Sequence, residues 1–301
     1  MDFALTVVRA LHFAATIVLF GGYAYAYAVS PDGRPRPRFV AVAGWSLAVA
    51  VASAAAWLAI EAGHMSGEPL AQALGDGTMR IVLASTLFGH TWIVRGVLAL
   101  VLVLSLAAMR GAAQRRRIAQ AIGASCAALL LVSLACAGHA AGDAGIAGIA
   151  HLCADGVHLL AAGAWLGALV PLVFLLRESS SGSVQRASLA VRRFSVLGMA
   201  CVGALVLTGL VNATFALHRV SELFDSRYGN ELLLKLALFA AIVVLATVNR
   251  VRLTPRLDLT DARSANAAQR SLLRNAVAEV VLGFAIVAIV GNLGITMPPM
   301  H

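Results

Sequence analysis

Charged residues are scarce in this chain of 301 residues. Only 12% of them are Asp, Glu, Lys or Arg, whereas a soluble domain usually carries about 25%, because its surface has to face water. At the same time, 60% of the residues are hydrophobic. This composition excludes a soluble globular protein and an intrinsically disordered one, and it indicates that much of the surface faces lipid.

The sequence also lacks the motifs that mark common enzymes and pumps. It has no Walker glycine-rich loop, no phosphorylated-Asp signature and no HExxH helix, which argues against an ATP-driven pump and a zinc hydrolase. Its four cysteines include no CxxC pair, and no disulfide framework can be read from them. We therefore expect a membrane protein that is not an enzyme.

Long apolar segments recur along the chain. A helix needs about 20 apolar residues to cross the hydrocarbon core of a bilayer. Eight segments meet this requirement and predict an all-α polytopic membrane protein. They are Ala4–Val29, Phe39–Ala62, Thr91–Met109, Ile118–Gly138, His151–Leu176, Phe194–Leu217, Leu232–Asn249 and Asn275–Ile295. The shorter apolar segment Met79–Phe88 predicts an interfacial helix or an early start of the third span.

Basic residues are concentrated in alternate loops, and the formal net charge is +9. Clusters of arginine follow the first, third, fifth and seventh spans. Their members are Arg34, Arg36 and Arg38; Arg110 and Arg115–Arg117; Arg177, Arg186, Arg192 and Arg193; and Arg250, Arg252, Arg256, Arg263, Arg270 and Arg274. The positive-inside rule puts these loops in the cytoplasm and both termini outside. Because the pattern explains the basic charge, we do not expect nucleic acid as a partner.

The two halves of the chain resemble each other in the spacing of a few residues. A His in span one and in span five is followed by Gly nine residues later, and an Arg-Phe pair opens spans two and six. A Lys or Arg lies seven residues past an aromatic residue at the start of spans three and seven. The matched positions include His12 and His158, Gly21 and Gly167, and Arg95 and Lys235.

These spacings predict a duplication in which residues 1–138 and 139–301 form one membrane domain. Each half has an even number of spans, so the two repeats are expected to run parallel. The segment Ala24-Tyr25-Ala26 looks like a signal-peptidase site. We nevertheless expect span one to be retained, because its counterpart, span five, is internal.

Histidine is confined to one side of this topology. All eight imidazoles fall in the outer loops, at the outer C-terminus or in the outer turns of spans. Imidazole binds copper, zinc, nickel and iron, whereas thioether and thiolate select Cu(I), so a soft metal ion fits this side best. The candidate ligands are His12, His158, His139, His151, Cys136, Cys153, Met65 and His64.

Charged groups inside the predicted spans also need partners. His12 and His158 occupy matched positions, and pseudo-symmetry is expected to bring them together; the alternative is that each bonds separately to a neighbouring helix. Arg9 and Asp155 each lie three residues before these histidines and are expected to pair across the interface. Glu279 in span eight needs a partner or a proton.

Several motifs resemble the copper-resistance protein D (CopD) family of bacterial inner-membrane proteins. The matching residues are Gly138-His139-Ala140-Ala141, Asp155 with His158, Trp165 and Gly167, Arg193-Phe194-Ser195, Thr208-Gly209 with Asn212, Tyr228-Gly229 with Leu233 and Lys235, and Arg274 with Glu279. The first half matches through Leu11-His12 and Gly21-Gly22. The resemblance implies a copper importer of the inner membrane that works with a small periplasmic copper-binding protein. It carries His12, His139 and His158 over as candidate ligands.

Three functions are therefore open at this stage. The first is a protein that takes copper, as Cu(I) or Cu(II), from the periplasm and transports or delivers it across or into the membrane. The second is a b-type cytochrome in which His12 and His158 hold haem b between facing helices. The third is a non-catalytic membrane scaffold in which the histidines only form hydrogen bonds.

Overall fold

The structure is a computed structural model. It describes residues 2–30, 37–67, 72, 75, 77–109, 111–137, 145–178, 183–217, 219, 221–258 and 261–296. Three of the eight histidines, His139, His218 and His301, lie outside these residues.

Every regular element in the described part of the chain is helical, and eight helices there are long and apolar enough to cross a membrane. The predicted all-α fold with eight candidate spans is thus confirmed. In chain order the spans are Asp2–Ala24 with a π-helical end at Tyr25–Val29, Pro37–Ser66, Leu87–Ala108, Ala113–Val132, Gly145–Leu176, Ser183–Ala216, Arg227–Val248 with a π-helical end at Asn249–Leu253, and Ala262–Leu293.

Several helices are longer than the apolar segments that predict them. The sixth begins at Ser183 and the eighth at Ala262, well before the predicted starts at Phe194 and Asn275. The added turns carry arginine, whose long side chain can reach polar surroundings from a helix end. The backbone therefore stays helical beyond the last apolar residues of the span. We call the end of the bundle with the arginine clusters the arginine-rich end, and the opposite one the histidine end.

The apolar segment before span three forms a separate short helix, Thr78–Ser85. The long helix then begins at Leu87, because the Thr86 hydroxyl accepts a hydrogen bond from the Gly89 amide at 2.8 Å and caps the first turn. Ser226 caps the seventh span in the same way, accepting from Gly229 at 2.8 Å after the short helix Glu222–Asp225. This shared local geometry supports the predicted duplication.

The first span lies at the centre of the bundle and packs against the second, fourth, fifth and eighth. It meets the fifth span at Gly21 and Gly167, where each glycine lies directly against the backbone of the other helix. A Cβ atom at either position would overlap that backbone. The two halves therefore join at the two glycines that the repeat aligns.

Candidate functional site

The His12 side chain is held by the second span. It is 1% exposed, and its Nδ1 atom lies 2.9 Å from the Ala50 carbonyl oxygen and 3.0 Å from Ser53 Oγ. A carbonyl oxygen only accepts, so we assign the proton to Nδ1, which leaves Nε2 with a lone pair. That Nε2 atom is buried and has no hydrogen-bond partner.

His158 is held in the same way by the sixth span. Its Nδ1 atom lies 2.9 Å from Thr208 Oγ1, and this hydroxyl donates its own proton to the Ala204 carbonyl oxygen at 2.6 Å. Because the hydroxyl proton is already used, Nδ1 is the donor, and Nε2 again keeps its lone pair. A bonded Nδ1–H and a free Nε2 is the arrangement that orients histidine as a metal ligand.

The two histidines do not share one space as predicted. Each Nδ1 faces the second helix of its own half, so the rings turn toward different helices. The helices of His12 and His158 touch at Gly21 and Gly167, nine residues or roughly 13 Å further along. Among the described residues, no group of three or more His, Cys, Asp and Glu gathers as a metal site. A haem ligated by both histidines, which needs them facing one another, finds no support in this geometry.

The His12 ring contacts Trp57, 5.9 Å between ring centres, and Trp57 in turn lies against two buried arginines and Trp92. The guanidinium carbon of Arg9 is 4.5 Å from the centre of the Trp57 ring. That of Arg95 is 4.5 Å from Trp92 and 5.8 Å from Trp57. Both arginines are nearly inaccessible, with exposures of 6% and 3%. In the described part of the chain no carboxylate lies within ion-pair distance of Arg95, whereas Glu61 interacts with Arg9, so the surroundings of His12 keep a net positive charge.

The surroundings of His158 are closer to neutral. Asp155 Oδ1 accepts a hydrogen bond of 3.3 Å from Asn212 Nδ2, and the carboxylate interacts electrostatically with Lys235. The predicted pairing of Arg9 with Asp155 is wrong, because Arg9 instead stacks on Trp57 and interacts with Glu61 of its own half. The cause is the crossing at the glycines, from which the two helices carry these charges into separate halves.

The other predicted ligands are scattered over the histidine end. His64 Nδ1 lies 3.9 Å from Glu61 Oε2, and Met65 beside it is 51% exposed. Cys136 and Cys153 are exposed free thiols, so neither forms a disulfide in this structure. His151 is buried and its ring stacks on Phe215 at 4.2 Å between centres. The remaining candidate, His139, lies outside the described residues.

Sequence reasoning missed the hydroxyl groups that orient the histidines. Ser53 lies 14 residues after Phe39, and Thr208 lies 14 residues after Phe194. Because Phe39 and Phe194 are matched positions of the repeat, an alignment of the halves pairs the two hydroxyl residues. The role of Arg95 as a neighbour of Trp57 had no comparable signal, since it depends on how spans two and three pack.

A cavity of about 210 Å³ lies among the fifth, sixth, seventh and eighth spans, toward the arginine-rich end. Its lining includes Trp165, Met199, Asn249, Arg250 and Glu279. Glu279 is 1% exposed; its Oε1 atom accepts a hydrogen bond of 2.6 Å from Asn249 Nδ2, and its Oε2 atom has no partner. Asn249 is thus a hydrogen-bond partner for one of the two carboxyl oxygens of Glu279, and the other oxygen has none.

Comparisons with known proteins point to one family. Residues 1–149 match the family described as "Copper resistance protein D-like, N-terminal domain", and residues 188–293 match "Copper resistance protein D". Copper resistance protein D of Pseudomonas syringae pv. tomato is 33% identical over 73% of this chain and 72% of its own length. The chain belongs to the copper resistance protein D family.

Two further proteins are similar to this chain. Inner membrane protein YebZ of Escherichia coli is 30% identical over 71% of this chain and 70% of its own length. Copper transport protein CutJ of Bacillus subtilis is 32% identical over 64% of this chain, which spans only 36% of that protein. No solved structure matches.

The comparisons support a copper-related membrane protein, and the resemblance read from the sequence is confirmed. The names of these relatives refer to copper resistance, copper transport and the inner membrane. His12 falls within the first family match and Thr208 within the second, whereas His158 lies between them. The orientation of the termini and the absence of catalysis stay predictions.

Proposed function

We propose that this protein takes copper at its histidine end and transports or delivers it across or into the membrane. The observation that carries the proposal is the bonding of His158: Thr208 accepts from Nδ1 and leaves the Nε2 lone pair free. An oriented imidazole of this kind is a ligand for copper. Family membership supports copper as the ion, and the bonding of His158 supports this residue as a first ligand.

Charge favours His158 over His12 as that ligand. Two buried guanidinium groups stand near His12, and like charges repel strongly in a medium of low dielectric constant. The carboxylate of Asp155 offsets Lys235 near His158. We therefore place copper first at His158, and keep His12 as a second ligand that is less accessible to a bare cation.

A route through the second half is consistent with the positions of soft and polar groups. His158 lies toward the histidine end of span five, and the cavity with Met199 and Glu279 lies among the same four spans toward the other end. A thioether is a ligand that Cu(I) accepts. We propose Met199 as a further ligand on this route, in the cavity toward the arginine-rich end.

Capture at the histidine end is proposed to involve a separate small periplasmic copper-binding protein, as the family resemblance implies. Met65, Cys136 and Cys153 are exposed, and His64 lies beside Met65. Together with His139 and His151 they are the thioether, thiol and imidazole groups that we propose receive the ion before His158. The predicted orientation puts this end in the periplasm.

The test is Cu(I) binding to purified protein, measured in competition with a Cu(I) chelator. His158→Ala should abolish the tightest site, and Thr208→Val should weaken it by about 10- to 100-fold, because Thr208 only orients the ligand. His90→Ala is the matched control: the His90 ring is exposed and bonded to the Ala84 carbonyl, and we expect no change.

Other outcomes would contradict the proposal. Equal Cu(I) affinity in His158→Ala and the unmodified protein would remove His158. A Soret band in the purified protein would favour a b-type cytochrome. Unchanged thermal stability on adding Cu(I) would favour a scaffold, since a ligand bound only by the folded state must stabilise it. Copper accumulation in cells carrying each variant then separates binding from transport.

A further inference from the structure

Glu279 is a carboxyl group buried inside the bundle without a cation. In the described part of the chain, no Lys, Arg or His lies within ion-pair distance of it. Its hydrogen-bonding neighbours are amides: Asn249 Nδ2 donates to Glu279 Oε1 at 2.6 Å, and Asn275 Nδ2 donates to Asn249 Oδ1 at 2.8 Å. The asparagine chain fixes one oxygen and leaves Oε2 free.

Neither protonation state is fully satisfied by these contacts. An ionised carboxyl would leave an uncompensated charge in an apolar bundle, which is costly. A neutral carboxyl with its proton on Oε2 would lack an acceptor among the described residues. Water would satisfy either state, because it both donates and accepts; since Oε2 is fully covered in this structure, the side chain has to turn toward the neighbouring cavity to reach it.

The cavity provides room for such water. At about 210 Å³ it holds several molecules, and Glu279 is part of its wall. The wall also includes Arg250, which is exposed at the arginine-rich end, so the lining passes from a buried acid to the surface. The corner of the cavity beside Glu279 is formed by the π-helical turn at Asn249–Leu253, and such turns frequently occur at functional sites.

The groups that face this corner from each packed helix are few. The seventh span contributes Asn249 and Arg250, and Arg250 Nη1 donates to Ser195 Oγ of the sixth span at 2.7 Å. The fifth span contributes the Trp165 side chain, and Thr254 follows the π-helical turn. In this lining, Glu279 is the only acid, because the other residues are apolar, polar or basic.

We propose that Glu279 is a proton-binding site that exchanges its proton with the arginine-rich end through this cavity. The protonation itself is independent of copper. The idea that this proton moves as a counter-ion when copper moves rests on the proposed function. The chemistry is a simple acid–base exchange: the Oε2–H bond breaks, and the proton passes to water in the cavity.

The experiment uses copper-free, full-length protein in vesicles of one orientation. Dicyclohexylcarbodiimide adds to protonated carboxyl groups from an apolar phase, and mass spectrometry locates the adduct. We expect the adduct on Glu279, with labelling that falls about tenfold per pH unit once the acid has ionised. It should follow the pH on the arginine-rich side only. Glu231 is the internal control and should not be labelled, because Arg227 Nε lies 3.2 Å from its Oε1 atom and favours the ionised carboxylate.

Two outcomes would overturn the proposal: no adduct on Glu279 at any pH in folded protein, or labelling that follows the pH on the histidine side. Glu279→Gln should lose the adduct and the infrared band of a protonated carboxyl while keeping its fold. Cu(I) affinity at His158 should stay unchanged in this variant. Failure of the proton site and failure of copper binding are therefore measured separately.

Discussion

The two halves hold a histidine in the same way and surround it differently. In each half the Nδ1 atom is fixed by a hydroxyl or carbonyl group of the second helix, and Nε2 is left with its lone pair. Around His12 the neighbours are two guanidinium groups and two indole rings, all deeply buried. Around His158 they are an acid, an amide and a lysine.

The comparison separates the orientation of the two histidines, which the halves share, from their charged surroundings, which the halves do not share. The orientation of each histidine ring depends on how its helix packs against the second helix of the same half, and substitutions of neighbouring side chains leave this packing intact. Charge depends on single side chains, and Arg9 in one half stands where Asp155 stands in the other. Repulsion of a cation is expected to be weaker near His158, where Asp155 offsets Lys235, than near His12, where no described carboxylate pairs with Arg95.

The glycine crossing is the strongest test of how the halves are joined. Gly21→Ala puts a Cβ atom into the backbone of Gly167, and Gly167→Ala puts one against the Ile17 carbonyl oxygen and the Gly21 Cα atom. We expect each to destabilise the protein by about 3 kcal/mol or more, the upper range for overpacking. Gly203→Ala is the matched control, since nothing lies within 4 Å of the position that its Cβ atom would take. Thermal unfolding in detergent measures the effect, and equal melting temperatures for Gly21→Ala and Gly203→Ala would contradict this crossing.

Sequence predicted the spans because hydrophobicity over 20 residues is a strong signal, and the repeat because matched residues recur at fixed spacing. It also predicted that Gly21 and Gly167 correspond. It did not predict that the helices separate beyond them, which sends His12 and His158 apart and leaves Arg9 without Asp155. That outcome depends on the crossing angle of two helices, which neither composition nor spacing determines.

Removing the positive charge of Arg95 tests whether charge lowers the Cu(I) affinity of His12 relative to His158. In a His158→Ala background, Arg95→Gln should raise the Cu(I) affinity of His12 by roughly tenfold, because removing one nearby positive charge lowers the repulsion by about 1–2 kcal/mol. Arg80→Gln, on the exposed face of the short helix Thr78–Ser85, should change nothing. The same competition with a Cu(I) chelator gives the affinity. If Arg95→Gln leaves it unchanged, charge is not what distinguishes the halves.

The smallest expected effect concerns a feature that the halves share. Thr86 and Ser226 each accept from a glycine amide at 2.8 Å and donate to a carbonyl of the preceding short helix, at 2.7 Å and 2.6 Å. Loss of such a cap costs about 1 kcal/mol, so Thr86→Ala and Ser226→Ala should lower the unfolding free energy by similar amounts. Thr86→Ser and Ser226→Thr keep both bonds and should restore it.

Equal losses would mean that the histidine-end turns before spans three and seven are stabilised in the same way, although only the first half encloses two buried arginines. A loss confined to Thr86→Ala would contradict that equivalence. It would then show that the turn before span three has a further role, because span three also positions Trp92 and Arg95 against Trp57. Hydrogen exchange of the Gly89 and Gly229 amides reads each turn separately, since each amide is the donor in its own cap.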